Sequence, residues 1–140
     1  MKKFEIVLIK GDGIGPEIAD AVVQIFDAAD IPIKWIEKNA GLSVLEKHPT
    51  GIPQETFEAI RTYKVALKGP TTTPVGTGHK SVNVTLRKSL ELYANVRPAK
   101  VYKALVDGST LKADVLEGTD FIVLRELTGG IYFGQPRGYD

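Results

Sequence analysis

The sequence predicts an α/β fold, built from βαβ units around a mostly parallel sheet. Three observations point there. A short run rich in β-branched residues, Phe4 to Ile9, stops at the glycine turn "KGDGIGPE". Apolar side chains then recur at three- and four-residue spacing, as on one face of a helix. Strand and helix patterns go on alternating at the spacing of βαβ crossovers.

The elements follow in order. Pro16 suits the first turn of a helix, and Ile18, Ala21, Val22, Ile25 and Phe26 give it one apolar stripe through about Ala29. Ile31 to Glu37 alternates apolar and polar residues as a half-buried strand does. Gly41 to Lys47 reads as a short helix, and Gly51 and Pro53 punctuate the chain before a second amphipathic helix, Gln54 to Thr62, with Phe57 and Ile60 inward. Val65 to Leu67 is a short strand running into "KGPTTTPVGTGHKSVNVTLR". From Ser81, a residue able to cap, the pattern is helical, with Leu86, Leu90 and Tyr93 at i, i+4 and i+7. Pro98 biases Arg97 toward extended backbone, and a further strand, Asp120 to Leu124, leads to a turn at Gly129 and Gly130 before Ile131 to Phe133.

Composition narrows the function classes. At 140 residues and 43% hydrophobic content the chain suits one globular domain. Its 18 basic and 17 acidic residues nearly cancel, so nothing in the bulk charge argues for nucleic acid or an anionic membrane. Apolar runs are too short to cross a bilayer and "MKKFEIV" lacks a secretory pattern, which makes cytoplasmic the expected location. Without cysteine there is no disulfide, thiol nucleophile or Cys-bound metal, and two histidines, His48 and His79, do not suggest a metal site. No close set of carboxylates stands out as one either.

Two stretches carry candidate chemistry. "GDGIGPE", residues 11–17, lies between strand and helix, where backbone N–H groups receive anions, but it lacks the full dinucleotide fingerprint. A tight strand-to-helix turn explains its glycines equally well. In the second stretch Asn83 and Arg87 are four apart and share a helix face, with Ser81 able to bring a hydroxyl beside the helix's free donors. Arg97 and Arg125, each read at the end of an extended segment, complete a set of three guanidinium groups suited to a substrate with two or three carboxylates. Unrelated surface ion pairs are the alternative reading of those arginines. Tyr132 follows two glycines and reads either as a proton donor or as a packed tyrosine. His79, Lys80 and Lys88 read as solvated groups.

At these residues the chain resembles the β-decarboxylating dehydrogenases, the family of isocitrate and 3-isopropylmalate dehydrogenases. The resemblance rests on "LIKGDGIGPEI", "LKGPTTTPVGTGHKSVNVTLRKSLELYANVRP" and "FIVLRELTGGIYFGQPRG", which span nearly the whole chain. It implies that family's three-layer fold, apparently truncated, with residues 1–98 forming part of the first, cofactor-side domain and residues 99–140 opening a second, dimerisation and substrate domain. It also implies oxidation of a 2-hydroxy acid with NAD or NADP and a divalent Mg2+ or Mn2+ ion, followed by loss of carbon dioxide.

By the same resemblance Arg87, Arg97 and Arg125 match the arginines that grip the malate moiety, and Tyr132 matches the catalytic tyrosine. Ser81 and Asn83 fall where isocitrate-type members meet the extra carboxylate. Thr73, Thr72 and Ile14 match positions beside the nicotinamide end of the cofactor. Up to about Pro98 the wording is that of isocitrate dehydrogenases, and beyond it that of isopropylmalate dehydrogenases. The polar Ser81 and Asn83 favour isocitrate, because left without partners they would penalise a branched alkyl group. Family members are more than twice this length, and their catalytic lysine, metal aspartates and adenine-binding segment are expected beyond Asp140. The 140-residue chain is therefore expected to be inactive alone, and to self-associate as a homodimer or join a missing half. A non-catalytic subunit that binds polycarboxylates, and an α/β domain stripped of function, are the readings from other classes.

Overall fold

The structure, a computed structural model, describes residues 3–73 and 81–129. The chain divides into two compact units, Met1–Leu90 and Glu91–Asp140. The division expected after Pro98 falls inside a strand that belongs whole to the second unit.

In the first unit, β1 (Phe4–Ile9) lies between β2 (Ile33–Glu37) and β3 (Ala66–Lys68), and all three strands run parallel. Helix α1 (Gly15–Ala28) connects β1 to β2, while α2 (Leu42–Leu45) and α3 (Gln54–Tyr63) lie between β2 and β3. Because β2 and β3 flank β1 on opposite sides, right-handed crossovers put α1 on one face of the sheet and α3 on the other. Three layers result. Val7 and Ile9 point to the α3 face and join Ala40, Ile52, Phe57 and Ala59 in the core, together with Val82 and Leu86 of α4 (Val82–Ser89). Leu8 points the opposite way, as strand alternation requires, and is equally buried.

The sequence reading of α1 is corrected by a quarter turn. Its buried positions are Gly15 and Ala19, with Val22, Val23 and Phe26 half-buried, whereas Ile18, Ala21 and Ile25 are exposed. Small residues at 15 and 19 let the helix backbone approach the sheet, so they face inward in place of the larger side chains. Phe26 meets Trp35 of β2 edge to face, ring centroids 5.8 Å apart. Helix α4 is also shorter than its apolar spacing suggests. Glu91 adopts a left-handed backbone (φ 53°), which stops the helix, so Leu90 still packs on the core while Tyr93 is exposed.

The second unit pairs β4 (Ala94–Lys100) with β5 (Asp120–Glu126) in an antiparallel ladder, where the sequence pattern suggested mostly parallel strands. A 3-10 turn at Lys103–Leu105 and the short α5 (Ala113–Leu116) occupy the connection. The Lys100–Asp120 ion pair, at 3.1 Å, closes one end of the ladder, and Leu127 N–H donating to Tyr93 O extends the other. No helix among the described residues is long and apolar enough to cross a membrane.

Candidate functional site

Ligands of open α/β sheets bind outside the carboxyl ends of the strands, where the chain leaves two neighbouring strands toward opposite faces. Here that point lies between β1 and β3. The loop after β1 leads to α1, and the loop after β3 leads toward α4, which packs with α3 on the other face. The two loops touch. Gly69 N–H donates to Ile9 O and Asp12 N–H to Pro70 O, each at 2.8 Å. Gly11, at φ +80°, comes so close that a Cβ there would lie 2.0 Å from Pro70 O. Gly11 and Gly15 of "GDGIGPE" therefore admit backbone to backbone contact, and Gly13 supplies a positive φ of +58°, which is the turn reading of that motif.

Helix α4 presents the expected polar face. Val82 and Leu86 are buried in the core, which leaves Asn83 and Arg87, one position on in each turn, half-buried at its rim. Arg61 of α3 donates to Ser89 O at 3.1 Å and so fixes the carboxyl end of α4. Ser81 takes the N-cap position, but its side chain makes no capping hydrogen bond. Its carbonyl instead accepts from the N–H and hydroxyl of Thr85.

Lys68, at the end of β3, is a member of this region that sequence reasoning missed. Its Nζ donates to Gly69 O at 2.6 Å and more weakly to Thr71 Oγ1 at 3.4 Å. Burial pushes its amine below the ordinary lysine value, the Asp12 carboxylate partly offsets this, and the Arg87 guanidinium pushes it further down. Arg87 and Lys68 thus feel one another, and among the described residues neither forms an ion pair with a carboxylate. Two neighbouring half-buried cations can receive an anion. The available signal was a lysine at a strand's end just before Gly-Pro.

Ile14 is 67% exposed at the amino end of α1, and Thr72 and Thr73 are exposed on the loop after β3. No group of three or more His, Asp or Glu suited to a metal occurs among the described residues, so these residues do not by themselves fit a divalent ion.

In the second unit Asn95 lies opposite Arg125 and Arg97 opposite Val123. Arg97 and Arg125 are therefore diagonal neighbours on one face of the ladder, within reach of a shared anion. Arg97 sits in the middle of β4, not at a strand end as expected from Pro98. Pro98 lies opposite Ile122 in the ladder, and among the described residues β5 is the one strand beside β4, a setting in which a proline is tolerated. Just beyond, the Glu126 carboxylate accepts the Thr128 hydroxyl and the N–H groups of Thr128 and Gly129. Those hydrogen bonds, the hydroxyl's first, hold its pKa below the ordinary carboxylate value. Tyr132, His79, Lys80 and the turn after Gly129 lie outside the described residues.

The first unit is thus a doubly wound α/β domain with Lys68 and Arg87 both half-buried, Lys68 at the carboxyl end of β3 and Arg87 on α4. The chain belongs to the isocitrate/isopropylmalate dehydrogenase family, whose model matches residues 5–140. Over 98% of its length it is 44% identical to a 3-isopropylmalate dehydrogenase of Chlorobium luteolum, covering 42% of that protein. It is 46% identical to the mitochondrial isocitrate dehydrogenase [NAD] catalytic subunit 5 of Arabidopsis thaliana, over 91% of this chain and 32% of that one. The crystal structure of isocitrate dehydrogenase from Methylococcus capsulatus superposes with a TM-score of 0.78 at 43% identity, over 93% of this chain and 36% of that one. The chain spans about two fifths of the length of the curated 3-isopropylmalate dehydrogenases it matches.

Proposed function

We propose that this chain supplies the acid-gripping region of an NAD- or NADP-dependent dehydrogenase that oxidatively decarboxylates isocitrate. The observation that carries the choice of acid is the rim of α4, where Asn83 and Arg87 stand half-buried one turn apart, with Ser81 at the helix start. Arg87 holds a carboxylate by two parallel hydrogen bonds, and Asn83 and Ser81 donate to the additional carboxylate that isocitrate carries. Arg97 and Arg125, diagonal neighbours on one face of their own ladder, present two guanidinium groups suited to a carboxylate.

The oxidised nicotinamide nucleotide, when bound beside Ile14, Thr72 and Thr73, supplies the hydride acceptor. Tyr132 supplies a proton to the carbon that loses carbon dioxide, a role it takes from the family resemblance. The divalent ion is held by residues other than those described here, and no step is derived through it. Acid binding is the activity expected of these 140 residues, which span about two fifths of the length of the 3-isopropylmalate dehydrogenases they match.

Isothermal titration of the chain with isocitrate and with 3-isopropylmalate tests the reading. Isocitrate is expected to bind more tightly, and Asn83→Leu with Ser81→Leu to reverse the order, each lost polar contact being worth about tenfold. Tighter binding of 3-isopropylmalate by the unaltered chain would establish the second reading, which the names of several relatives favour.

A further inference from the structure

Three loops follow β1, β2 and β3 at the same end of the sheet, and one side chain ties them together. Asp12, in the loop after β1, accepts the Leu42 N–H on Oδ1 at 2.9 Å and the Thr72 N–H on Oδ2 at 2.8 Å. Its own N–H donates to Pro70 O, and its carbonyl accepts the N–H of Gly15 as α1 begins. The carboxylate reaches Leu42 only because position 41 has no side chain. A Cβ on Gly41, whose φ is +111°, would lie 2.3 Å from Asp12 Oδ2.

From this geometry we propose that Asp12 is a positioning residue for cofactor binding at the carboxyl ends of the strands, setting the loop that carries Thr72 and Thr73 against the loop that carries Ile14. Both oxygens work as acceptors of backbone N–H groups, a task only an ionised carboxylate performs on both sides at once. An amide in its place accepts with its oxygen, while its NH2 group opposes the second backbone donor. Asp12 therefore acts through Thr72 and Ile14 and needs no contact with the ligand. The role rests on the cofactor placement given under Proposed function.

The test uses the 140-residue chain and its Asp12→Asn and Gly41→Ala variants, followed by amide NMR and by titration with nicotinamide mononucleotide and, separately, isocitrate. In the unaltered chain the Thr72 and Leu42 amide protons are expected downfield and slow to exchange, as charge-assisted hydrogen bonds make them. Asp12→Asn is expected to move at least one of them upfield and to speed its exchange about tenfold, the equivalent of one hydrogen bond. The exchange of Val7 to Ile9 should stay as it was, which separates a loosened clasp from an unfolded domain. Gly41→Ala, which displaces the carboxylate from the opposite side, should give the same signature. Affinity for the mononucleotide should fall about fivefold or more with isocitrate affinity held within about twofold, in keeping with one lost hydrogen bond. Unmoved Thr72 and Leu42 signals overturn the proposal, as does equal weakening of both ligands. An unaltered chain that ignores the mononucleotide contradicts the cofactor placement itself and takes the positioning role down with it.

Discussion

Single side chains have measurable consequences. Thr56 is fully buried and its hydroxyl donates to Asn39 O at 2.9 Å. Thr56→Val keeps the shape but strands that carbonyl, and is expected to cost about 1–3 kcal/mol in urea unfolding. Glu126 titrates with a definite sign. Its folded pKa lies below the ordinary 4.5, so its contribution is present in full above that value and is lost as the pH falls through the depressed one. Exchange of the Thr128 and Gly129 amides should accelerate across that acid window, and Glu126→Gln should abolish the dependence. Lys68 has the opposite sense. Because its folded pKa is lowered, its burden on stability is greatest below that pKa and is relieved as the pH rises from there toward 10.5. These contacts leave no mark in sequence spacing. Asp12 stands 30 residues from Leu42 and 60 from Thr72, and only the folded chain shows that it joins them.

Among the elements, α4 has the clearest division of labour. Its inward face, Val82 and Leu86, fixes the outward one, Asn83 and Arg87. Leu86→Ala is expected to cost about 2–5 kcal/mol and to weaken acid binding although it touches no ligand. Spacing alone revealed this helix, through Leu86 and Leu90 four apart, and positions 83 and 87 share a face in any α-helix. Spacing misplaced the inward face of α1, where small Gly15 and Ala19 outrank Ile18 and Ile25, since close approach to the sheet is not recorded in hydrophobicity. It also ended α4 too late, the left-handed Glu91 giving no compositional warning. The diagonal placement of Arg97 and Arg125 across β4 and β5 depends on a ladder register that neither strand reveals by itself. Arg125→Lys is expected to weaken isocitrate binding about tenfold, because an ammonium lacks the planar fork, and calorimetry reads the loss directly.

For the whole molecule, the parallel unit and its layers were legible because strand, glycine turn and helix alternate at βαβ spacing, and the family because three long segments carry its wording. The antiparallel pair was not, since its two strands are separated by a long connection of weak pattern. That pair also leaves apolar side chains in the open, Val96, Ile122 and Leu124 being 56%, 61% and 69% exposed on one face. The chain is expected to self-associate as its concentration rises, and Leu124→Lys to reduce this, as sedimentation velocity would reveal. The central claim is that the rim of α4 receives the acid, and amide NMR during titration with isocitrate tests it most directly. Shifts are expected to concentrate at Ser81, Asn83 and Arg87. Shifts that bypass residues 81–87, or saturable binding unaffected by Arg87→Ala, would contradict it.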